Sequence, residues 1–158
     1  YSDETTVITK GVVVKGDIIS GGSINVLGEV EGNITCKGKL IVSGTIHGNA
    51  EAGELFANDA HITGNILNAG SVKIGQGSII IGNVTGSSAV IAGAIKGDID
   101  VKGPVVVDST AIIMGDIKSK SVQINNGAVI EGMCSQCYAD VNPSSFFDKF
   151  DKKADKKK

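Results

Sequence analysis

The sequence has no arginine and no tryptophan, and only 4% of its 158 residues are aromatic. All 15 basic residues are lysine, whereas specific contacts to bases and phosphates rely on the bidentate guanidinium of arginine. We therefore expect no nucleic acid as a partner. A Gly-x-x-x-x-Gly-Lys-Ser/Thr loop is also missing, so we expect no bound nucleotide.

Long apolar runs are absent too, since no stretch approaches the roughly 20 residues that a membrane-spanning helix needs. Cys36, Cys134 and Cys137 are too few and too unevenly placed for a disulfide scaffold, which indicates the reducing cytoplasm. The single Cys134-x-x-Cys137 pair lacks two further ligands of a structural zinc site. Cys134 instead falls on an inward position of the repeat described below, so we expect it to pack in the core. No metal and no cofactor is expected.

Glycine, by contrast, is abundant at 22 residues, and eight glycines recur at intervals of 16, 16, 16, 18, 15, 18 and 17 residues. Seven of the eight are followed by Asp or Asn. The period is too short for a helix-pair repeat and too long for a heptad, so it predicts a strand solenoid. These predicted turn residues are Gly16, Gly32, Gly48, Gly64, Gly82, Gly97, Gly115 and Gly132.

Between these glycines the sequence alternates with a period of two. In residues 24–34 apolar residues or glycine alternate with mostly polar ones, as in a strand with one buried face. Glycine allows the bends that divide this length into short strands, and the Asp or Asn after it suits a turn by bonding nearby backbone amides. We predict an all-β fold: a single-stranded, right-handed parallel β-helix of about eight coils. The alternation by two favours this helix over a left-handed hexapeptide β-helix.

Three regions are expected along the chain. Residues 1–6 are expected to be disordered, and residues 7–137 to form the β-helix domain. Residues 138–158 form a C-terminal tail that is either flexible or a short amphipathic helix, because the repeat stops at this point.

A stack of coils has two ends, each with unpaired strand edges and an apolar cross-section that invites another chain. The candidate polymerisation surface at the N-terminal end is Val7, Ile8, Val12 and Val14. The candidate surface at the C-terminal end is Val122, Ile124, Ala128, Ile130 and Cys134. A contact between opposite ends does not close on itself, and joining like ends also propagates, so both predict filaments.

The Gly-Asp/Asn-Ile recurrence, the segment at residues 24–34 and the closing segment at residues 124–132 resemble the bactofilins, which are bacterial polymer-forming cytoskeletal proteins. The resemblance covers about residues 7–134. It implies a right-handed β-helix that assembles end to end without a nucleotide. It also implies a membrane-associated scaffold that localises cell-wall enzymes, and hence a protein that is cytoplasmic or peripheral at the inner face of the membrane. Family members often carry Phe at the position of Ile130.

The tail concentrates three of the four phenylalanines of the chain, Phe146, Phe147 and Phe150, on one face of a possible helix that begins near Pro143. Lysines lie on the opposite face. Three interpretations stay open: a segment attracted to an anionic membrane surface, a flap that caps the last coil, or a solvated tail.

The predicted function is structural, with no enzymatic activity. The alternative is a β-helical enzyme, either a hexapeptide-type acyltransferase or a carbohydrate-active protein. Such an enzyme needs carboxylates, histidines or aromatics gathered on one face, whereas His47 and His61 are expected on the surface. The recurring Asp17, Asp98 and Asp116 interchange with Asn, which favours a turn role over calcium binding. A further alternative is a monomeric β-helical scaffold that binds proteins along its faces.

Overall fold

Short strands wind around one axis, three in each turn, and every strand lies parallel to its equivalents in the neighbouring turns. The computed structural model describes residues 5–139 together with residues 144, 147 and 148. Within these residues the strands form three sheets of eight strands each. The predicted all-β parallel solenoid of about eight turns is confirmed.

The strand bounds follow the repeat closely. Sheet A contains β1 (Thr5–Ile8), β4 (Ser23–Val26), β7 (Lys39–Val42), β10 (Glu54–Ala57), β13 (Ser71–Ile74), β16 (Ser88–Ile91), β19 (Pro104–Val107) and β22 (Ser121–Ile124). Sheet B contains β2 (Val13–Lys15), β5 (Glu29–Glu31), β8 (Thr45–His47), β11 (His61–Thr63), β14 (Ile79–Ile81), β17 (Ala94–Lys96), β20 (Ile112–Met114) and β23 (Val129–Glu131). Sheet C contains β3 (Ile18–Ser20), β6 (Ile34–Cys36), β9 (Ala50–Ala52), β12 (Ile66–Asn68), β15 (Val84–Gly86), β18 (Ile99–Val101), β21 (Ile117–Lys118) and β24 (Cys134–Ser135).

One strand from each sheet makes one coil, so coil 1 is β1–β3 and coil 8 is β22–β24. The corner between sheets B and C always has two residues, the repeating glycine and the residue after it. The corner between sheets A and B has two to four residues, and that between sheets C and A has one or two. The period varies between 15 and 18 residues because the other two corners change length and because β21 has two residues where the earlier strands of sheet C have three.

Alternation along each strand sends one set of side chains to the axis, where they form a continuous aliphatic core. Ile46 shows the arrangement: it pairs with Val30 in the coil before and Ile62 in the coil after, and all three are completely buried. Burying such a side chain contributes about 1.5–3 kcal/mol. Because each core residue contacts its equivalents in both neighbouring coils, no coil can complete its core alone.

The constant corner requires glycine because the coils come closest there. Gly64 has a φ of 143°, a conformation that side chains rarely adopt. A Cβ built on Gly64 would overlap the carbonyl oxygen of Gly48 in the preceding coil. The same overlap recurs at every later corner, whereas a Cβ on Gly16 of coil 1 would meet no atom within 4 Å. The close stacking of coils, as well as the bend of the backbone, therefore explains why glycine recurs at this corner.

The residue after each of these glycines links neighbouring coils. Its Oδ1 atom accepts a hydrogen bond of 3.0–3.1 Å from the backbone N–H at the same position one coil later. The acceptors form a ladder along the rod: Asp17, Asn33, Asn49, Asn65, Asn83, Asp98 and Asp116. These side chains therefore bond backbone amides, and the amide belongs to the next coil because the acceptor oxygen points along the axis.

Replacing Gly64 with Ala tests the stacking requirement. We expect the Gly64→Ala variant to lose at least about 2 kcal/mol of unfolding free energy. Alanine rarely adopts the φ of this position, and its Cβ would overlap the carbonyl oxygen of Gly48. Urea denaturation followed by circular dichroism measures the change. The matched control is Gly21→Ala, where a Cβ meets no atom within 4 Å and a change below about 0.5 kcal/mol is expected. Equal losses in both variants would contradict the argument.

Candidate functional site

The N-terminal end of the rod is formed by residues of coil 1 that face the axis. Val14 pairs with the buried Val30 but is only half-buried, since it belongs to the first coil. Val12 lies at the corner that Gly28 occupies in coil 2, and it is 41% exposed. Ile8 also faces the axis, yet only 6% of its surface is exposed. Val12 and Val14 therefore present apolar surface along the axis, whereas Ile8 offers little.

Val7 and Val13 point away from the axis. Val7 pairs with Asn25, and Val13 pairs with Glu29, both of which lie on outward positions of their strands. Both valines are exposed, so their apolar surface lies on the side of the rod. The alternation in β1 sends Thr6 and Ile8 inward instead, and a role of Val7 in polymerisation stays a prediction.

The C-terminal end presents the inward side chains of coil 8. These are Val122, Ile124, Ala128, Ile130 and Cys134, aligned with Val105, Val107, Ala111, Ile113 and Ile117 of coil 7. The five coil 7 residues are at most 1% exposed. In contrast, Ile124 is 50% exposed, Cys134 is exposed and the other three are half-buried. Equivalent positions differ because coil 8 has a neighbouring coil on one side only.

The hydrogen-bond ladder also ends at coil 8. The Met133 N–H donates to Asp116 Oδ1 at 3.0 Å, but the Met133 side chain has no oxygen to pass the ladder on. This side chain is 74% exposed. Met133 was not among the predicted end residues, although it is the one residue after a repeating glycine that is neither Asp nor Asn. That single departure was the available signal for where the ladder stops.

The three thiols differ in burial, since Cys36 is buried whereas Cys134 and Cys137 are exposed. Cys36 is buried, and this burial raises the pKa of its thiol, which donates to the Gly38 carbonyl at 3.6 Å. Cys134 pairs with the buried Ile117 as an inward residue should, but it is itself exposed. Cys134 was expected to pack in the core, but it packs only against coil 7 and is exposed on the side away from coil 7. Within residues 5–139, no three His, Cys, Asp or Glu side chains gather in a way that could hold a metal ion.

The histidines lie on the outer surface of sheet B. His47 is exposed, with its Nε2 3.7 Å from Glu29 Oε1. His61 is exposed on the next strand, but it pairs with Thr45, so the two imidazoles lie in different columns of the sheet. The described coils therefore place no pair of imidazoles where they could act together.

The beginning of the tail lies beside the rod. The Tyr138 hydroxyl donates to Asp100 Oδ1 at 2.6 Å, and Asp100 lies on the outward face of β18 in coil 6. The chain thus turns along sheet C after coil 8. Phe147, which has helical backbone, is 60% exposed, and the predicted residues Phe146 and Phe150 lie outside the described residues. In the part of the chain that is described, no helix has the length and apolar character needed to cross a membrane.

Comparison with known proteins places the repeat in one family. A family model described as Bactofilin, polymer-forming cytoskeletal, matches residues 6–58 and 43–135, which together take in nearly all of the 24 strands. Neither a curated protein nor a solved structure matches the chain.

The contact between Tyr138 and Asp100 is expected to change the pH at which the Tyr138 hydroxyl ionises. The hydrogen bond to the Asp100 carboxylate is the main cause that raises the pKa of Tyr138 from 10.0 to about 12. Because the folded pKa is the higher one, this contact stabilises the fold fully below about pH 10 and is lost between about pH 10 and pH 12.

Ultraviolet absorbance titration of tyrosinate measures this pKa. We expect Asp100→Asn to shift the high-pH transition toward pH 10, since the neutral amide no longer disfavours the phenolate. The Tyr138→Phe variant leaves only Tyr1 and identifies which transition belongs to Tyr138. A Tyr138 transition that stays near pH 12 in Asp100→Asn would contradict the assigned cause.

Proposed function

Because the chain belongs to the bactofilin family of polymer-forming cytoskeletal proteins, we propose that it is a filament subunit that assembles end to end without a nucleotide. Its function is mechanical and organisational: the filament is a scaffold along which cell-wall or membrane-associated proteins are held. In this proposal the filament lies in the cytoplasm, at the inner face of the cell membrane where such clients are found.

The supporting observation is the change in burial between coils 7 and 8. Ile113 is 1% exposed beneath coil 8, whereas its equivalent Ile130 is half-buried and the neighbouring Ile124 is 50% exposed. Another chain that stacks on coil 8 restores for these residues the environment that coil 8 gives to coil 7. Full burial of an exposed aliphatic side chain contributes about 1.5–3 kcal/mol, so several such residues supply a substantial driving force.

The geometry of the ends explains why assembly continues. The two ends lie at opposite extremes of a stack of eight coils, so a subunit that is bound at one end still offers its other end. A contact of this kind propagates along the axis and does not close into a small ring. No chemical energy is needed, because the same burial that stacks coils within a subunit stacks subunits on each other.

A scaffold role follows from the exposure of the sides. Stacking occupies only the ends, so the contact between subunits covers none of the three outward sheet faces. A repeated surface binds a multivalent client more tightly than one subunit does, because the second contact is made at high local concentration. A capped monomer with the same faces lacks this advantage, which makes the polymeric state the decisive property to measure.

A charge at the C-terminal end tests the proposal. We expect Ile130→Lys to abolish filaments while keeping the strand content, because stacking would bury an unpaired ammonium group. Ile124→Lys, at the more exposed inward position, should have the same effect. Negative-stain electron microscopy in nucleotide-free buffer measures filament length, and circular dichroism checks the fold. The control is Gln123→Lys, which places the charge on an outward position of the same coil and should leave filaments intact.

Long filaments from Ile130→Lys and Ile124→Lys would rule out this end surface. Wild-type protein that stays monomeric at high concentration would overturn the filament proposal and favour the monomeric binding scaffold.

A further inference from the structure

One side of the rod carries an apolar surface that the fold does not require. On sheet B the outward residues of coils 5 to 8 are mostly aliphatic, and we call them the side patch: Ile79, Ile81, Ala94, Ile112, Met114 and Val129. Ile112 and Val129 are each 56% exposed. The core lies on the opposite side of these strands, so burial inside the subunit does not explain the choice of residues.

The same face differs in coils 2 to 4. Its outward residues there are polar: Glu29, Glu31, Thr45, His47, His61 and Thr63. Both halves form strands of equal length with the same pairing, so strand formation does not demand Ile or Met on the outside. An exposed cluster of large apolar side chains on one part of a face is typical of a surface that contacts another molecule.

Two opposite charges lie symmetrically on either side of β20, the central strand of coils 6 to 8. The second outward column of sheet B runs Ile81, Lys96, Met114 and Glu131 through coils 5 to 8. Neighbouring strands lie about 4.8 Å apart, so Lys96 and Glu131 stand at equal distances on either side of Met114. The first column runs Ile79, Ala94, Ile112 and Val129, with Ile112 at the same central strand, β20.

We propose that the side patch binds the side patch of a second copy of this chain through a two-fold axis that runs along β20. Rotation about this axis keeps each column opposite the same column and exchanges coils 6 and 8. Lys96 then faces Glu131 of the other copy, and Ile112 and Met114 each face their own equivalents. The small Ala94 faces Val129, so the packed surfaces are complementary in size as well as in charge.

Charge selects this arrangement over the other two-fold possibility. If the axis ran along the rod, the two columns would be exchanged and Lys96 would face Ala94 of the other copy. Glu131 would face Val129, so both charges would be buried against apolar groups without a partner. Burying an unpaired charge is strongly unfavourable. The two rods therefore run antiparallel.

The size of the patch indicates when pairing occurs. With the axis along β20, the three strands of coils 6 to 8 overlap in an isolated pair, and they span about 14 Å along the rod and about 10 Å across, which is roughly 140 Å². A stable interface buries about 800 Å² per partner, so two isolated subunits would pair only weakly. In the proposed filament the patch recurs once in each subunit and the weak contacts add. This inference rests on the proposed function: filaments pair side by side, and monomers do not.

A charge exchange tests the pairing in the full chain. We expect wild-type filaments to appear paired in electron micrographs. Lys96→Glu, which opposes two carboxylates, should reduce the paired fraction by roughly tenfold or more without shortening the filaments. The combined Lys96→Glu and Glu131→Lys exchange should restore pairing. If the patch instead bound a membrane, the chain's own tail or another protein, the charge exchange would not be expected to restore pairing. Failure of the double variant to restore pairing would overturn the proposal.

Cross-linking locates the axis directly. Ile112→Cys places a thiol beside its own equivalent, so oxidation should join two copies of the tryptic peptide 103–118, which contains no other cysteine. The control is His61→Cys, in the same outward column but outside the patch, which should give no self-linked peptide. Paired filaments without the 112–112 link would contradict the axis. Wild-type filaments that stay single would overturn this inference alone, whereas a wild type that forms no filaments would overturn the proposed function as well.

Discussion

The close approach of coils at the Gly-Asx corner is the constraint on which the rest of the structure depends. At this corner the glycine leaves no Cβ to strike the carbonyl of the preceding coil. The next residue then uses its Oδ1 to receive an N–H from the following coil. Since the corner always has two residues, inward and outward positions stay in step from coil to coil even where other corners change length. The continuous core and the uniform faces both follow from this alignment.

Much of this architecture was predictable because it follows from patterns between neighbouring residues in the sequence. Period-two alternation needs only neighbouring residues to reveal a buried face, and the recurring glycine gives the coil length. The same alternation predicted which residues face the axis at the C-terminal end. Val122, Ile124 and Ile130 do lie opposite buried residues of coil 7. Sequence reasoning is strong wherever one coil resembles the next.

The features that could not be predicted depend on contacts across coils. The direction of the Asn65 oxygen becomes clear only when the next coil is placed 18 residues later. Val7 and Ile8 are adjacent β-branched apolar residues in the sequence. Only their pairing with coil 2 shows that Ile8 faces the core and Val7 faces outward. The contact of Tyr138 with Asp100 joins positions 38 residues apart and breaks the repeat. Variable coil length hides such partners from a reading of spacing alone.

Ends and sides of the rod differ in what their exposed apolar residues mean. A repeat that needs aliphatic side chains at every inward position exposes some of them at its last coil, so an apolar end is a by-product of the fold. An outward position has no such requirement, as the polar half of sheet B demonstrates. Apolar residues on the side patch therefore need a separate explanation from those at the ends. In the proposed filament, the weak lateral contact would gain strength only after the ends had assembled, so end-to-end assembly would come before lateral pairing.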